Sequence, residues 1–129
     1  MKIEHLALWV ENLELMKSFY ERYFGAKPNH KYQNPLTHFE SYFLSFEGGS
    51  RIELMRRPDV GQRQHDHLSQ QQGFVHLAIS TGSEEKVDAL VDTLRADGHK
   101  IVGNPRTTGD GYYEAVVLDP EGNLIEVTV

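Results

Sequence analysis

The chain has 129 residues, 39% of them hydrophobic and 25% charged, a globular balance suited to one domain or to two small modules sharing a core. Its formal net charge of −6 and scattered Lys and Arg offer nucleic acid no basic footprint, and no apolar run approaches the roughly 20 residues of a membrane span. With no cysteine there is no disulfide framework, no thiolate nucleophile and no Cys-ligated zinc, so any metal chemistry falls to seven histidines and the carboxylates. A soluble, cytoplasmic protein without a leader peptide is the expectation.

In chain order, Ile3-Glu4-His5-Leu6-Ala7-Leu8 reads as an opening strand. A helix follows from Leu13, with Met16, Phe19, Tyr20, Tyr23 and Phe24 at helical spacing, Asn12 as its cap, and Gly25 and Pro28 as its stop. Thr37 to Tyr42 is a less distinct strand. Phe43 to Phe46 and Arg51 to Met55 are strands around a Glu47-Gly48-Gly49-Ser50 turn. Residues 1–57 thus form a first module, and the polar stretch 58–73 reads as a linker or a loop over the site.

Phe74-Val75-His76-Leu77-Ala78-Ile79 then repeats the opening pattern and begins a second module, 74–129. Ser83 caps a helix whose first turn carries Glu84 and Glu85. Its stripe is Val87, Leu90, Val91 and Leu94, and Gly98 ends it. Lys100 to Val102 and Tyr112-Tyr113 are weaker strand signals. Ala115 to Leu118 and Leu124 to Val127 flank an Asp119-Pro120-Glu121-Gly122-Asn123 turn. The predicted order is strand, helix and three strands, twice over.

The duplication aligns four polar residues. His5 and Glu53 lie 48 positions apart, and His76 and Glu126 lie 50 apart. Strand alternation sends their apolar neighbours, Ile52 and Leu54 or Ile125 and Val127, toward the helices, and the four polar side chains toward the opposite face. Two imidazoles and two carboxylates suit a divalent first-row ion: Ni, Zn, Co, Mn or Fe. A single strand histidine is more often a hydrogen-bonded structural residue, and a single glutamate after isoleucine is more often solvated. Four in matched register outweigh that plainer explanation.

The His-Leu-Ala strand starts, the Asp119-Pro120-Glu121-Gly122-Asn123 turn and the terminal Ile125-Glu126-Val127 together resemble the vicinal-oxygen-chelate superfamily, which includes glyoxalase I, extradiol dioxygenases and the fosfomycin- and bleomycin-resistance proteins. The resemblance covers the whole chain. It implies an α+β fold of two βαβββ modules, whose sheets form a cup around one metal ion per site with the helices outside. His5, Glu53, His76 and Glu126 match the ligand set of bacterial glyoxalase I, with Glu126 as the first candidate for base and Glu53 as its pseudo-symmetric partner. The resemblance further implies a homodimer with shared sites.

Three positions depart from that enzyme. Leu8-Trp9-Val10 stands where it has a glutathione-binding arginine, Met55-Arg56-Arg57 where it has an asparagine, and Thr108-Gly109-Asp110-Gly111 where it has a lysine-glycine loop. Trp9, Arg57, Arg106 and Tyr112 are alternative substrate contacts. The function implied is a metal-dependent lyase or isomerase that moves a proton through a metal-stabilised enediolate, on a small substrate with two neighbouring oxygens. The alternatives are an antibiotic-type binding module and an Fe(II)-dependent dioxygenase. His65-Asp66-His67 is a weaker second metal signal, held on a polar loop.

Overall fold

The first helix forms where its caps and its apolar stripe agree. Residues 1–61, 67–69 and 72–129 are described by a computed structural model, and the chain divides into two compact units, Met1–Gln64 and His65–Val129. The division falls inside the stretch expected to be a linker.

The first unit runs β1 (His5–Trp9), α1 (Leu13–Phe24), β2 (Lys27–Pro28), β3 (Tyr32–Asn34), β4 (Phe39–Ser45) and β5 (Arg51–Arg56). Asn12 Oδ1 accepts the Leu15 amide at 3.0 Å, satisfying one of the amides orphaned at the start of α1. Gly25 ends the helix in the left-handed region, with φ of 62°, where a side chain would be strained. The buried face of α1, Leu13, Met16, Phe19 and Tyr20, packs on β4 and β5. There it meets Leu44, Ile52 and Leu54, all buried.

The sheet order is β1-β5-β4-β2, with β3 also paired to β4. The short strands β2 and β3 were not expected from sequence. Both are recruited by β4, which spans Phe39 to Ser45 as one strand. At two and three residues they carry no readable alternation.

The second unit runs β6 (His76–Ser80), α2 (Glu84–Ala96), β7 (Ile101–Thr107), β8 (Tyr113–Leu118) and β9 (Leu124–Thr128), with sheet order β6-β9-β8-β7. Ser83 caps α2 by accepting the Lys86 amide at 3.3 Å. Val87, Val91 and Leu94 are buried with Ala115, Val117, Ile125 and Val127 beneath the helix. β7 extends past Pro105 because it is an edge strand broken by register shifts, where a residue without an amide hydrogen is tolerated.

The turn from β8 to β9 is organised by Asp119, which is 4% exposed. Its carboxylate accepts the Glu121 and Asn123 amides at 3.0 and 2.8 Å and the Asn123 side-chain amide at 2.7 Å. The result is α+β, with a βαβββ pattern in each half, the first decorated by an extra short strand. Among the described residues, no helix is long and apolar enough to cross a membrane.

Candidate metal centre

In each half a parallel ladder brings one histidine to one glutamate. β1 and β5 pair in parallel with His5 opposite Arg51 and Ala7 opposite Glu53. β6 and β9 pair in parallel with His76 opposite Leu124 and Ala78 opposite Glu126. Residues directly opposite in a ladder share a face, and so do residues two apart along a strand. His5 and Glu53 are therefore diagonal neighbours on the face away from Ile52 and Leu54. His76 and Glu126 repeat the relation on the face away from Ile125 and Val127.

The distances agree with the register. His5 Nε2 lies 3.7 Å from Glu53 Oε2, and His76 Nε2 lies 3.3 Å from Glu126 Oε2. Two donors that each bind one ion at about 2.0–2.2 Å stand about 2.8–3.6 Å apart at right-angle to tetrahedral geometry. The second pair falls inside that window and the first just outside it. Nitrogen and carboxylate oxygen are ligands that first-row divalent ions accept, so the donor sets fit such an ion. Among the described residues, no three His, Asp or Glu side chains are gathered as a ready-made metal set. Each half holds one histidine–glutamate pair.

The surroundings of the two pairs differ. In the first unit Phe43 stands opposite Glu53, and its ring meets the His5 ring edge-on, with centroids 5.3 Å apart. Farther along the same face lies an aromatic row: Trp9 against Phe39 and Phe39 against Tyr32, each with centroids 6.0 Å apart. Arg57 covers the Trp9 ring at 5.5 Å and is ion-paired to Asp59 at 2.5 Å.

In the second unit Val116 stands opposite Glu126. His76, Val75, Val116, Leu124, Gly103 and Arg106 line a groove of about 510 Å³, and His67 also reaches it. Tyr112 does not line this groove; it lies ahead of β8 and is largely exposed. Tyr113 turns the other way and donates its hydroxyl to Asp88 on α2 at 2.8 Å. His65 and Asp66, named with His67 as a weaker metal signal, lie outside the described residues.

Two carboxylates beside these pairs were missed in the sequence. Glu114 shares a face with Glu126 through the β8–β9 register and holds Arg106 at 3.3 Å. Burial pushes the Glu126 carboxyl up from its ordinary value and the Glu114 carboxylate adds to the push, while His76 works against both. The available signal was a lone acid on the open-face alternation of an otherwise apolar strand. Glu4 is the other: its carboxylate touches both His5 Nδ1 and the Arg51 guanidinium.

Comparison with known proteins agrees with this architecture. The sequence profile of the Glyoxalase/Bleomycin resistance protein/Dioxygenase superfamily matches residues 2–127. No curated protein matches the chain. Among solved structures, glyoxalase I from Zea mays is 25% identical with a TM-score of 0.80; the match covers 98% of this chain and 44% of that one. The chain thus spans less than half the length of the maize enzyme. A possible glyoxalase from Bacillus cereus is 27% identical with a TM-score of 0.72, covering 100% of this chain and 99% of that one. A glyoxalase/bleomycin resistance protein/dioxygenase domain from Frankia sp. EAN1pec, 19% identical, shares the fold with a TM-score of 0.83 over 100% of this chain and 97% of that one.

Proposed function

Since the chain belongs to the glyoxalase/bleomycin resistance protein/dioxygenase superfamily, we propose that it is a metal-dependent lyase or isomerase of the glyoxalase I type, acting on a small substrate with two neighbouring oxygens. The observation that carries this reading is the duplicated histidine–glutamate pair, set 3.7 Å apart in one half and 3.3 Å in the other by the same ladder register. His5, Glu53, His76 and Glu126 are the proposed ligands, completing one centre either within a chain or across a two-fold homodimer. A divalent ion held by them supplies Lewis-acid stabilisation of the charge that develops on the substrate oxygens.

The protein's own groups then divide the work. His5 and His76 act as fixed donors, since imidazole Nε2 faces the partner carboxylate in each pair. Glu126 takes the proton from the substrate carbon. Its carboxylate stands 3.3 Å from His76 Nε2, and His76 lines the groove proposed for the substrate. Glu53 takes the proton of the substrate's own hydroxyl and returns it to the adjacent carbon. Glu126 passes the proton it took to the neighbouring oxygen, so both carboxylates end as they began. The groove beside His76 receives the substrate's apolar part on Val75, Val116 and Leu124, with Arg106 as a polar contact. The aromatic row led by Trp9, with Arg57 above it, is the corresponding wall in the first half.

The test is metal analysis of protein purified without added metal, followed by a hemithioacetal screen across several metals and thiols. The expected result is metal uptake with proton-transfer turnover, and with glutathione not the favoured thiol, because Leu8-Trp9-Val10 offers no arginine to grip it. No metal uptake and no metal-linked rise in melting temperature would leave a binding module instead. Iron with oxygen consumption would point to the dioxygenase.

A further inference from the structure

The two half-sites share a ladder register but not their supporting residues. In the first half the residue before the histidine is Glu4, and the residue opposite the histidine is Arg51. The matching positions in the second half hold Val75 and Leu124. A polar pair thus stands where the repeat has an apolar pair. Val75 and Leu124 line the groove beside His76, whereas Glu4 and Arg51 are bonded to each other and Glu4 also to His5.

The Glu4 carboxylate is held in place from several sides. The Arg51 guanidinium donates to one oxygen, and His5 Nδ1 meets the other. The backbone adds two ties: the Arg51 amide donates to the Glu4 carbonyl at 3.1 Å, and Ser50 Oγ donates to the Ile3 carbonyl at 2.8 Å. Arg51 is itself fixed by stacking on Phe43, its guanidinium 4.3 Å from the ring centroid, and Phe43 also packs edge-on against His5. The imidazole is therefore bounded by a carboxylate at Nδ1, an aromatic edge on its flank and Glu53 beyond Nε2.

A neutral imidazole has one proton to share between two carboxylates. The nearer is Glu4, so the proton belongs on Nδ1 and Nε2 is left with its lone pair toward Glu53, 3.7 Å away. Two lone-pair donors facing one another at that separation repel in water and are drawn together by a cation between them. We propose that Glu4 is a positioning residue, which fixes the tautomer and ring orientation of His5 for metal binding. The first half-site then carries a braced histidine, and the second half-site gives that brace up for groove lining. This rests on the reading of His5 as a ligand.

The experiment compares the wild type with Glu4→Ala and Glu4→Gln. Long-range proton–nitrogen NMR on metal-free protein near pH 8, above the ordinary imidazole range, reads the tautomers of His5 and His76. Calorimetric titration with Zn²⁺ reads affinity. The expectation is an Nδ1–H tautomer for His5 in the wild type, lost in Glu4→Ala and largely kept in Glu4→Gln, whose amide oxygen still accepts. Zn²⁺ affinity falls on the order of 10–100-fold in Glu4→Ala and stays near wild type in Glu4→Gln. An unchanged His5 tautomer in Glu4→Ala, or a changed tautomer with unchanged affinity, overturns the positioning role while leaving the metal reading intact. A wild type that takes up no Zn²⁺ overturns both, and the titration alone identifies that case.

Discussion

Ala7 stands directly opposite Glu53 in the parallel β1–β5 ladder, and the repeat keeps this relation with Ala78 opposite Glu126. A methyl group at that position leaves open the space over which the histidine two residues earlier leans toward the glutamate. A larger side chain there would stand between the two donors.

The first prediction follows from that gap. Ala78 is exposed, so Ala78→Leu should change folding stability by no more than about 0.5 kcal/mol. Zn²⁺ affinity should fall on the order of 10–100-fold, because the leucine displaces His76 from Glu126. Thermal unfolding and calorimetric titration on the same preparation check both halves of the claim. Equal affinity in variant and wild type would count against a site at this pair.

Glu126→Gln separates ligand from base. The amide keeps an oxygen that coordinates but loses the basic lone pair. With metal replete, turnover should fall by about 10²–10⁴, whereas Glu53→Gln should lose less on a substrate that demands one proton abstraction. Single-turnover kinetics with metal content measured in parallel decides the matter. Full activity in Glu126→Gln would remove this residue as the base, and equal losses would mean that the two glutamates share the work.

Acid should weaken the first unit through Glu40. Lys31 Nζ at 2.8 Å, Gln33 Nε2 at 2.7 Å and Arg56 Nη1 at 3.3 Å converge on this carboxylate. They hold its pKa down from 4.5 to about 2, with the Lys31 bond the largest cause. A depressed folded value means that the stabilisation is whole above 4.5 and disappears as the pH falls from there toward about 2. Urea unfolding across that window should show a shallower acid limb in Glu40→Gln than in the wild type. Parallel limbs would refute the assignment.

Asp119 should prove structural. It is nearly buried and its carboxylate accepts three hydrogen bonds from the turn it sits in. Asp119→Ala leaves those donors without their acceptor and should cost about 1–3 kcal/mol. Equilibrium unfolding measures the loss, and a variant as stable as the wild type would show that water replaces the carboxylate at little cost.

Much of this fold was legible because it is set by local rules. Asn12 and Ser83 cap helices through their own side chains, Gly25 supplies a left-handed residue, and alternation alone assigns Ile52, Leu54, Ile125 and Val127 to the core. The repeat added a comparison within one chain, so His5, Glu53, His76 and Glu126 could be matched by position before any distance was known. Register between strands is a different kind of information. Nothing in the run from His5 to Trp9 says that Ala7, rather than His5, will face Glu53. That pairing depends on where the parallel strand docks, and it decides that each histidine meets its glutamate diagonally. The same dependence hid Glu114 beside Glu126, Lys31 on Glu40, and the recruitment of β2 and β3 by β4. Sequence periodicity determines which face a side chain occupies, because alternation is a property of one strand. Its neighbours on that face come from other strands, and only tertiary packing chooses them.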